Sequence, residues 1–164
     1  MESELTPESR LSHVRDGKPT MVDVTMKSDT LRTAVAQVDL LFSSQLVAAM
    51  QNNELHGPKG PVFQTAIIAG TMAVKKTSDL IPFCHPLAIE YCQIKVIPSD
   101  KGISIRCEVS ISGKTGVEME AMTGASIAAL TVYDMCKGLD KSITINNLRL
   151  ISKTGGKSGN FEAV

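Results

Sequence analysis

Ile89–Ile111 reads IEYCQIKVIPSDKGISIRCEVSI. Two apolar-rich runs, Ile89–Ile97 and Ile103–Ile111, flank Pro98-Ser99-Asp100-Lys101-Gly102, whose composition suits a five-residue hairpin loop. The pattern predicts two antiparallel strands. A second turn, Ser112-Gly113-Lys114-Thr115-Gly116, leads into Gly116–Lys137, GVEMEAMTGASIAALTVYDMCK, a small-residue helical run. This helix opens on Glu118 and Glu120 and closes on Asp134 and Lys137. Acids at a helix start and a cation in its last turn are what the helix dipole favours.

Upstream, the pattern between Leu31 and Leu41 predicts a strand over 31–40. Ser43 or Ser44 can cap a helix that runs through Met50 and ends at Asn52-Asn53. Leu55–Pro61 is a Gly- and Pro-rich loop, and Phe63–Lys76 a second helix with a small-residue face. Gly70 in its middle costs about 1 kcal/mol relative to Ala, which points to another backbone packed closely there. Prolines 82 and 86 bracket Phe83-Cys84-His85, so Ser78–Pro86 is not expected to form a regular helix. Met21–Thr25 is a short piece that can be extended. Downstream, a strand is expected over Ile143–Ile151, followed by a Gly-rich basic tail, Ser152–Asn160. The order β-α-α-β-β-α-β predicts an α+β fold close to the ferredoxin-like plan, one antiparallel sheet with helices packed on one face. Residues 1–20 are polar and without periodicity and are expected to form a flexible arm. Residues 21–164 are expected to form a single domain.

The 164 residues carry 17 Lys and Arg against 17 Asp and Glu, so net charge gives no reason to expect nucleic acid or membrane partners. No secretory signal and no span of membrane length is visible. Cys84, Cys92, Cys107 and Cys136 lack C-x-x-C spacing, which fits buried thiols in a reducing, cytoplasmic setting better than a zinc site or a disulfide framework. No carboxylate set has clear metal spacing.

Several residues invite a chemical reading beside a bland one. Asp134 and Lys137, at i and i+3, form either a surface ion pair or a proton donor with a cation poised against an anionic substrate. Glu118 and Glu120 are two apart. Both could face one pocket only if the helix begins after them, near Thr123; otherwise one is a first-turn acid. Glu120 and Asp134 stand fourteen residues apart, roughly 21 Å along a helix at 1.5 Å per residue. If both ends are functional, they meet across a subunit interface. His85, on a proline-fixed loop, is a candidate as readily as a structural histidine, while an activated Cys84–His85 nucleophile is disfavoured for want of a thiolate stabiliser. Lys59, Lys114, Lys153 and Lys157 sit in Gly-rich loops suited to phosphate. A Walker loop is excluded, because Glu108 and Ile151 occupy positions where that motif needs Gly.

Five segments resemble the molybdenum cofactor biosynthesis protein C family, the cyclic pyranopterin monophosphate synthases. They are MVDVT at Met21–Thr25, KGPVFQTAIIAG at Lys59–Gly70, AVKKTSDLIPFCHPL at Ala73–Leu87, GKTGVEMEAMTGASIAALTVYDMCK at Gly113–Lys137 and SKTGGKSGNF at Ser152–Phe161. The chain departs from the family's pattern in the loop Leu55-His56-Gly57-Pro58, at Pro61 and at Asn160. The resemblance implies conversion of (8S)-3′,8-cyclo-7,8-dihydroguanosine 5′-triphosphate to cyclic pyranopterin monophosphate with release of pyrophosphate. It implies a homohexamer, a trimer of dimers, with active sites at the dimer interface. By motif, Asp134, Lys137 and Lys59 are implied to be catalytic. Phe83, Cys84, His85, Glu118, Met119, Glu120, Lys153 and Lys157 are implied to bind substrate. No cofactor is implied with certainty, and Mg²⁺ accompanying the substrate phosphates is left open. A non-catalytic nucleotide- or pterin-binding homologue of the same fold is the alternative.

Overall fold

The computed structural model describes residues 14–15 and 17–164. The arm expected over residues 1–20 lies, for residues 1–13 and 16, outside the described residues. Its described part pairs β1 (Val14–Arg15) with β2 (Lys18–Pro19). The elements then follow as β3 (Thr30–Leu41), α1 (Ser44–Ala48), β4 (His56–Gly57), β5 (Gly60–Pro61), α2 (Val62–Val74) and α3 (Thr77–Leu80). After these come β6 (Tyr91–Ser99), β7 (Gly102–Gly113), α4 (Glu118–Cys136), β8 (Thr144–Thr154) and β9 (Phe161–Glu162). Five strands form one antiparallel sheet in the order β6-β7-β3-β8-β9.

Period-two alternation decides the two faces of the sheet. Ala34, Ala36, Val38 and Leu40 of β3 are buried, as are Ile103, Ile105, Cys107, Val109 and Ile111 of β7. They meet α2 and α4, which cover that face as the sequence predicts. The opposite face is polar. There Asp39 accepts hydrogen bonds from Ser104 Oγ at 2.6 Å and Gln37 Nε2 at 3.1 Å, and Arg106 Nε donates to Gln37 Oε1 at 2.8 Å.

The two helices cross where neither has a side chain. A Cβ on Gly70 would lie 2.8 Å from the Gly124 carbonyl oxygen and 2.5 Å from Ile94 Cδ1; one on Gly124 would lie 2.6 Å from Val74 Cγ2 and 2.7 Å from Cys107 Sγ. The close approach expected at Gly70 is therefore an α2–α4 contact, and it anchors α4 at its middle.

Three local differences from the sequence reading have physical causes. Ser78–Leu80 belongs to the single helical turn α3, because proline restricts the residue before it, here Ile81 and His85, and leaves Thr77–Leu80 free to turn. α1 stops at Ala48; Ser43 caps it, accepting from Leu46 N at 3.3 Å, and Asn52 and Asn53 follow with positive φ. β8 runs on to Thr154, paired to β3 as far as Thr33↔Thr154 and covered outside by β9, so Lys153 lies in the sheet and not in a loose tail.

Candidate active site

α4 is one unbroken helix of 19 residues with a cavity at each end. The smaller cavity, about 440 Å³, is at the C-terminal end, where Lys59, Tyr133, Asp134, Lys137 and Lys141 line it. Asp134 and Lys137 share a helix face by their i, i+3 spacing. Lys59 arrives from 75 residues away on the tip of the β4–β5 hairpin, whose register pairs Gly57 with Gly60. Its ammonium donates to Asp134 Oδ2 at 2.6 Å, and that of Lys137 to Oδ1 at 2.8 Å, so each carboxylate oxygen holds one cation. The Asp134 side chain is 49% exposed. The hydrogen bond from Lys137, then that from Lys59, pulls its pKa down to about 2. The same contact pushes Lys137 upward. At neutral pH Asp134 is a carboxylate and the proton of this pair sits on lysine. In this resting arrangement Asp134 is thus a proton acceptor, and the protons of the cluster are on Lys59 and Lys137.

The larger cavity, about 770 Å³, wraps the N-terminus of α4. It brings together Phe83, Cys84, His85, Glu118, Met119, Glu120 and Lys157, seven of the eight residues expected to bind substrate. Lys153 joins its wall indirectly, through an ion pair with Glu118 at 3.8 Å and a short hydrogen bond to Ser158 Oγ. α4 begins at Glu118, earlier than the start near Thr123 that would let both acids share a face, yet both line the cavity. They do so because the cavity lies against the helix end, where Lys114, Thr115 and Gly116 of the preceding turn form part of its wall.

Glu120 is 3% exposed. Burial, reinforced by the charge of Glu118, raises its pKa above the ordinary carboxylate value. The Cys84 thiol is also raised, by burial and by the nearby Glu120 carboxylate. A thiol shifted in that direction is a poor nucleophile at neutral pH, in keeping with the sequence argument against a Cys–His pair.

Arg32 is a wall residue that the sequence reading missed. Its Nε is buried and meets no hydrogen-bond partner among the described residues. The guanidinium is cradled by the tail: a Cβ on Gly156, which has φ +83°, would collide with Arg32 Nη1. A signal existed. Arg32 has the same parity as buried Ala34, Ala36, Val38 and Leu40, and an arginine on the core-facing side of a strand requires a polar space beneath the helices. Arg32, Lys27, Lys114 and Lys157 face Glu118 and Glu120 across this cavity, a cationic excess suited to an anionic ligand. Among the described residues no three His, Cys, Asp or Glu side chains gather into a metal-holding cluster. No helix among them is long and apolar enough to cross a membrane.

Comparison with known proteins gives one consistent result. The model of the MoaC family matches residues 21–156. The cyclic pyranopterin monophosphate synthase of Xanthomonas oryzae pv. oryzae is 52% identical over 151 residues, covering 91% of this chain and 92% of that protein. The protein of the same name from Trichlorobacter lovleyi is 52% identical over 145 residues, 87% of this chain and 89% of its own length. The molybdenum cofactor biosynthesis protein 1 of Dictyostelium discoideum is 51% identical over 169 residues, which cover 92% of this chain but only 27% of that longer protein.

Proposed function

The chain belongs to the MoaC family, and from that premise we propose that it is a cyclic pyranopterin monophosphate synthase of molybdenum cofactor biosynthesis. Its substrate is (8S)-3′,8-cyclo-7,8-dihydroguanosine 5′-triphosphate, and its products are cyclic pyranopterin monophosphate and pyrophosphate. The single observation that carries the residue assignment is the Lys59–Asp134–Lys137 triad, assembled from distant parts of the chain beside an open cavity.

The reaction requires hydrolytic opening, repeated proton transfers and ring closure, then attack of the 3′ oxygen on the α-phosphorus. Lys137 and Lys59 can supply protons and stabilise developing charge, while Asp134 accepts protons and keeps both ammonium groups in place. The large cavity would hold the nucleotide. Glu120 faces the guanine-derived ring from a site where its carboxyl holds a proton more readily than usual, so it can donate as well as accept a hydrogen bond. Arg32, Lys114 and Lys157 would meet phosphate. Mg²⁺ carried in on the triphosphate is compatible with this arrangement.

One chain cannot bring both ends of α4 to one substrate. Glu120 and Asp134 are separated by about 21 Å along the helix axis. We therefore assign the complete site to a dimer interface within a homohexamer. Supporting this, the outward faces of α2 and α4 expose aliphatic side chains: Ile68 is 61% exposed, Met72 54% and Leu130 54%. Two such faces packed about a two-fold axis would run the partner α4 antiparallel and set its Glu120 end beside Asp134.

The experiment is a turnover assay for pyrophosphate release from the purified cyclic nucleotide. A non-catalytic pterin-binding protein would release none. Mixing an Asp134→Ala chain with a Glu120→Ala chain should restore part of the activity lost by each alone. No recovery in verified mixed oligomers would count against a shared site.

A further inference from the structure

Lys141 lines the smaller cavity beside Lys137 and has no part in the triad. It is exposed, and no acidic partner pairs with it among the described residues. Its neighbour Asp140 is fully engaged elsewhere. Asp140 Oδ2 accepts from Ser43 N at 2.9 Å, and Oδ1 accepts from Ser142 N at 2.8 Å and Ser142 Oγ at 2.5 Å. The Ser142 hydroxyl, then the Ser43 amide, holds the Asp140 pKa at about 2, so this anchor stays charged at neutral pH. The turn after α4 is thereby pinned to the N-terminus of α1, which fixes the backbone of Lys141 at the mouth of the cavity.

Charge explains why this position matters. The C-terminus of a helix carries about half a negative charge from its unpaired carbonyls, which repels anions. The triad opposes this weakly, since one of its two ammonium charges is cancelled by Asp134. What remains from the triad and the helix end is roughly half a positive charge, a weak attraction for an anion. Lys141 adds a further cation on the cavity wall, while the Asp140 carboxylate, held by Ser43 and Ser142, is not part of that wall.

From this geometry we propose that Lys141 is a substrate-binding residue that contacts the polyphosphate chain at the Asp134 end of the site. The inference rests on the synthase reading and extends it. The lysines then have separate roles. Lys59 and Lys137 are committed to Asp134, and Lys141 is free to hold the group that departs as pyrophosphate.

The test compares wild type with Lys141→Gln, Lys141→Arg and, as a control of equal charge change, Lys95→Gln on the exposed part of β6. Pyrophosphate release is measured against substrate concentration. Lys141→Gln should raise KM about tenfold, the equivalent of ~1.4 kcal/mol, with kcat within about twofold. Lys141→Arg should recover most of the loss, and Lys95→Gln should leave KM unchanged. Binding of inorganic tripolyphosphate, followed by calorimetry without turnover, should weaken by a similar factor in Lys141→Gln alone. Equal KM and equal tripolyphosphate affinity in Lys141→Gln and wild type would overturn the proposal. So would an equal loss in the Lys95→Gln control. An inactive wild type would instead remove the synthase reading, and tripolyphosphate binding would still decide the role of Lys141.

Discussion

At one end of α4 Asp134 stands half-exposed between two ammonium groups, and at the other Glu120 is buried near Cys84 and a second carboxylate. The same functional group is shifted in opposite directions on one helix. Cations hold Asp134 ionised down to about pH 2, whereas burial shifts Glu120 toward its protonated form. Two carboxylates with diverging affinities for protons are what a division between acid and base requires, reached here without any special residue type. The lesson concerns means. Pairing acts at a surface, where long side chains reach one another; desolvation acts only where the fold excludes water.

The largest effect expected is at the paired end. Asp134→Ala should lower turnover by about a thousandfold, the scale of a lost acid–base and electrostatic group, while circular dichroism stays near wild type and the melting temperature falls only slightly, because an exposed ion pair adds little stability. Residual activity near wild type would erase the distinction between the two ends. At the other end, Arg32→Gln should weaken substrate binding by about tenfold, read as KM, because it removes a half-buried cation that lines the larger cavity. Gly124→Ala tests whether one rigid helix sets both ends. The added methyl meets Val74 and Cys107 and should cost about 1–3 kcal/mol of stability in denaturant unfolding, with binding and chemistry declining together.

The smallest effect is a pH slope. Glu120 binds its proton more tightly in the folded chain than in the unfolded one, so its contribution is fully present below the ordinary carboxylate pKa. That contribution is lost as pH rises through the raised folded value. Glu120→Gln should abolish this part of the slope and leave the protein relatively more stable at neutral pH, as melting temperatures across pH 4–8 would report. Asp134 has the opposite sign. Its lowered pKa stabilises the fold above the ordinary value and loses that effect only as pH falls toward 2.

Much of this was legible beforehand. The hairpin within Ile89–Ile111 and the helix after it have clear local patterns, and with them came the antiparallel sheet and its covered face. The turn is shorter than the expected five residues, because Pro98 and Ser99 pair with Ile103 and Gly102 and leave Asp100-Lys101 as the loop. The i, i+3 spacing of Asp134 and Lys137 announced their contact. The Gly-rich loop marked Lys59 as a phosphate candidate, but its contact with Asp134 could not be reached that way, since no local rule joins residues 75 apart; only the family resemblance set it beside Asp134 as catalytic. The extension of β8 and the small strand β9 were hidden because Ser152–Asn160 has turn-like composition, and pairing with β3 and a returning tail overrides local preference. The early start of α4 was ambiguous for a related reason. Acids two apart fit either a strand or a first helical turn until the neighbouring cavity is known.

The cradle that Gly155 and Gly156 form around Arg32 also sets a timetable. Arg32 is synthesised early, at the head of the central strand, but the backbone that encloses it comes more than 120 residues later in the sequence. On a ribosome adding about 5–20 residues per second, the larger cavity stays without part of its wall until nearly all of these residues have emerged. A chain stopped short of Gly155 would keep Asp134, Lys137 and Lys59 and still lack a finished larger cavity. The ion-paired end of α4 is therefore complete in a nascent chain before the other end is enclosed.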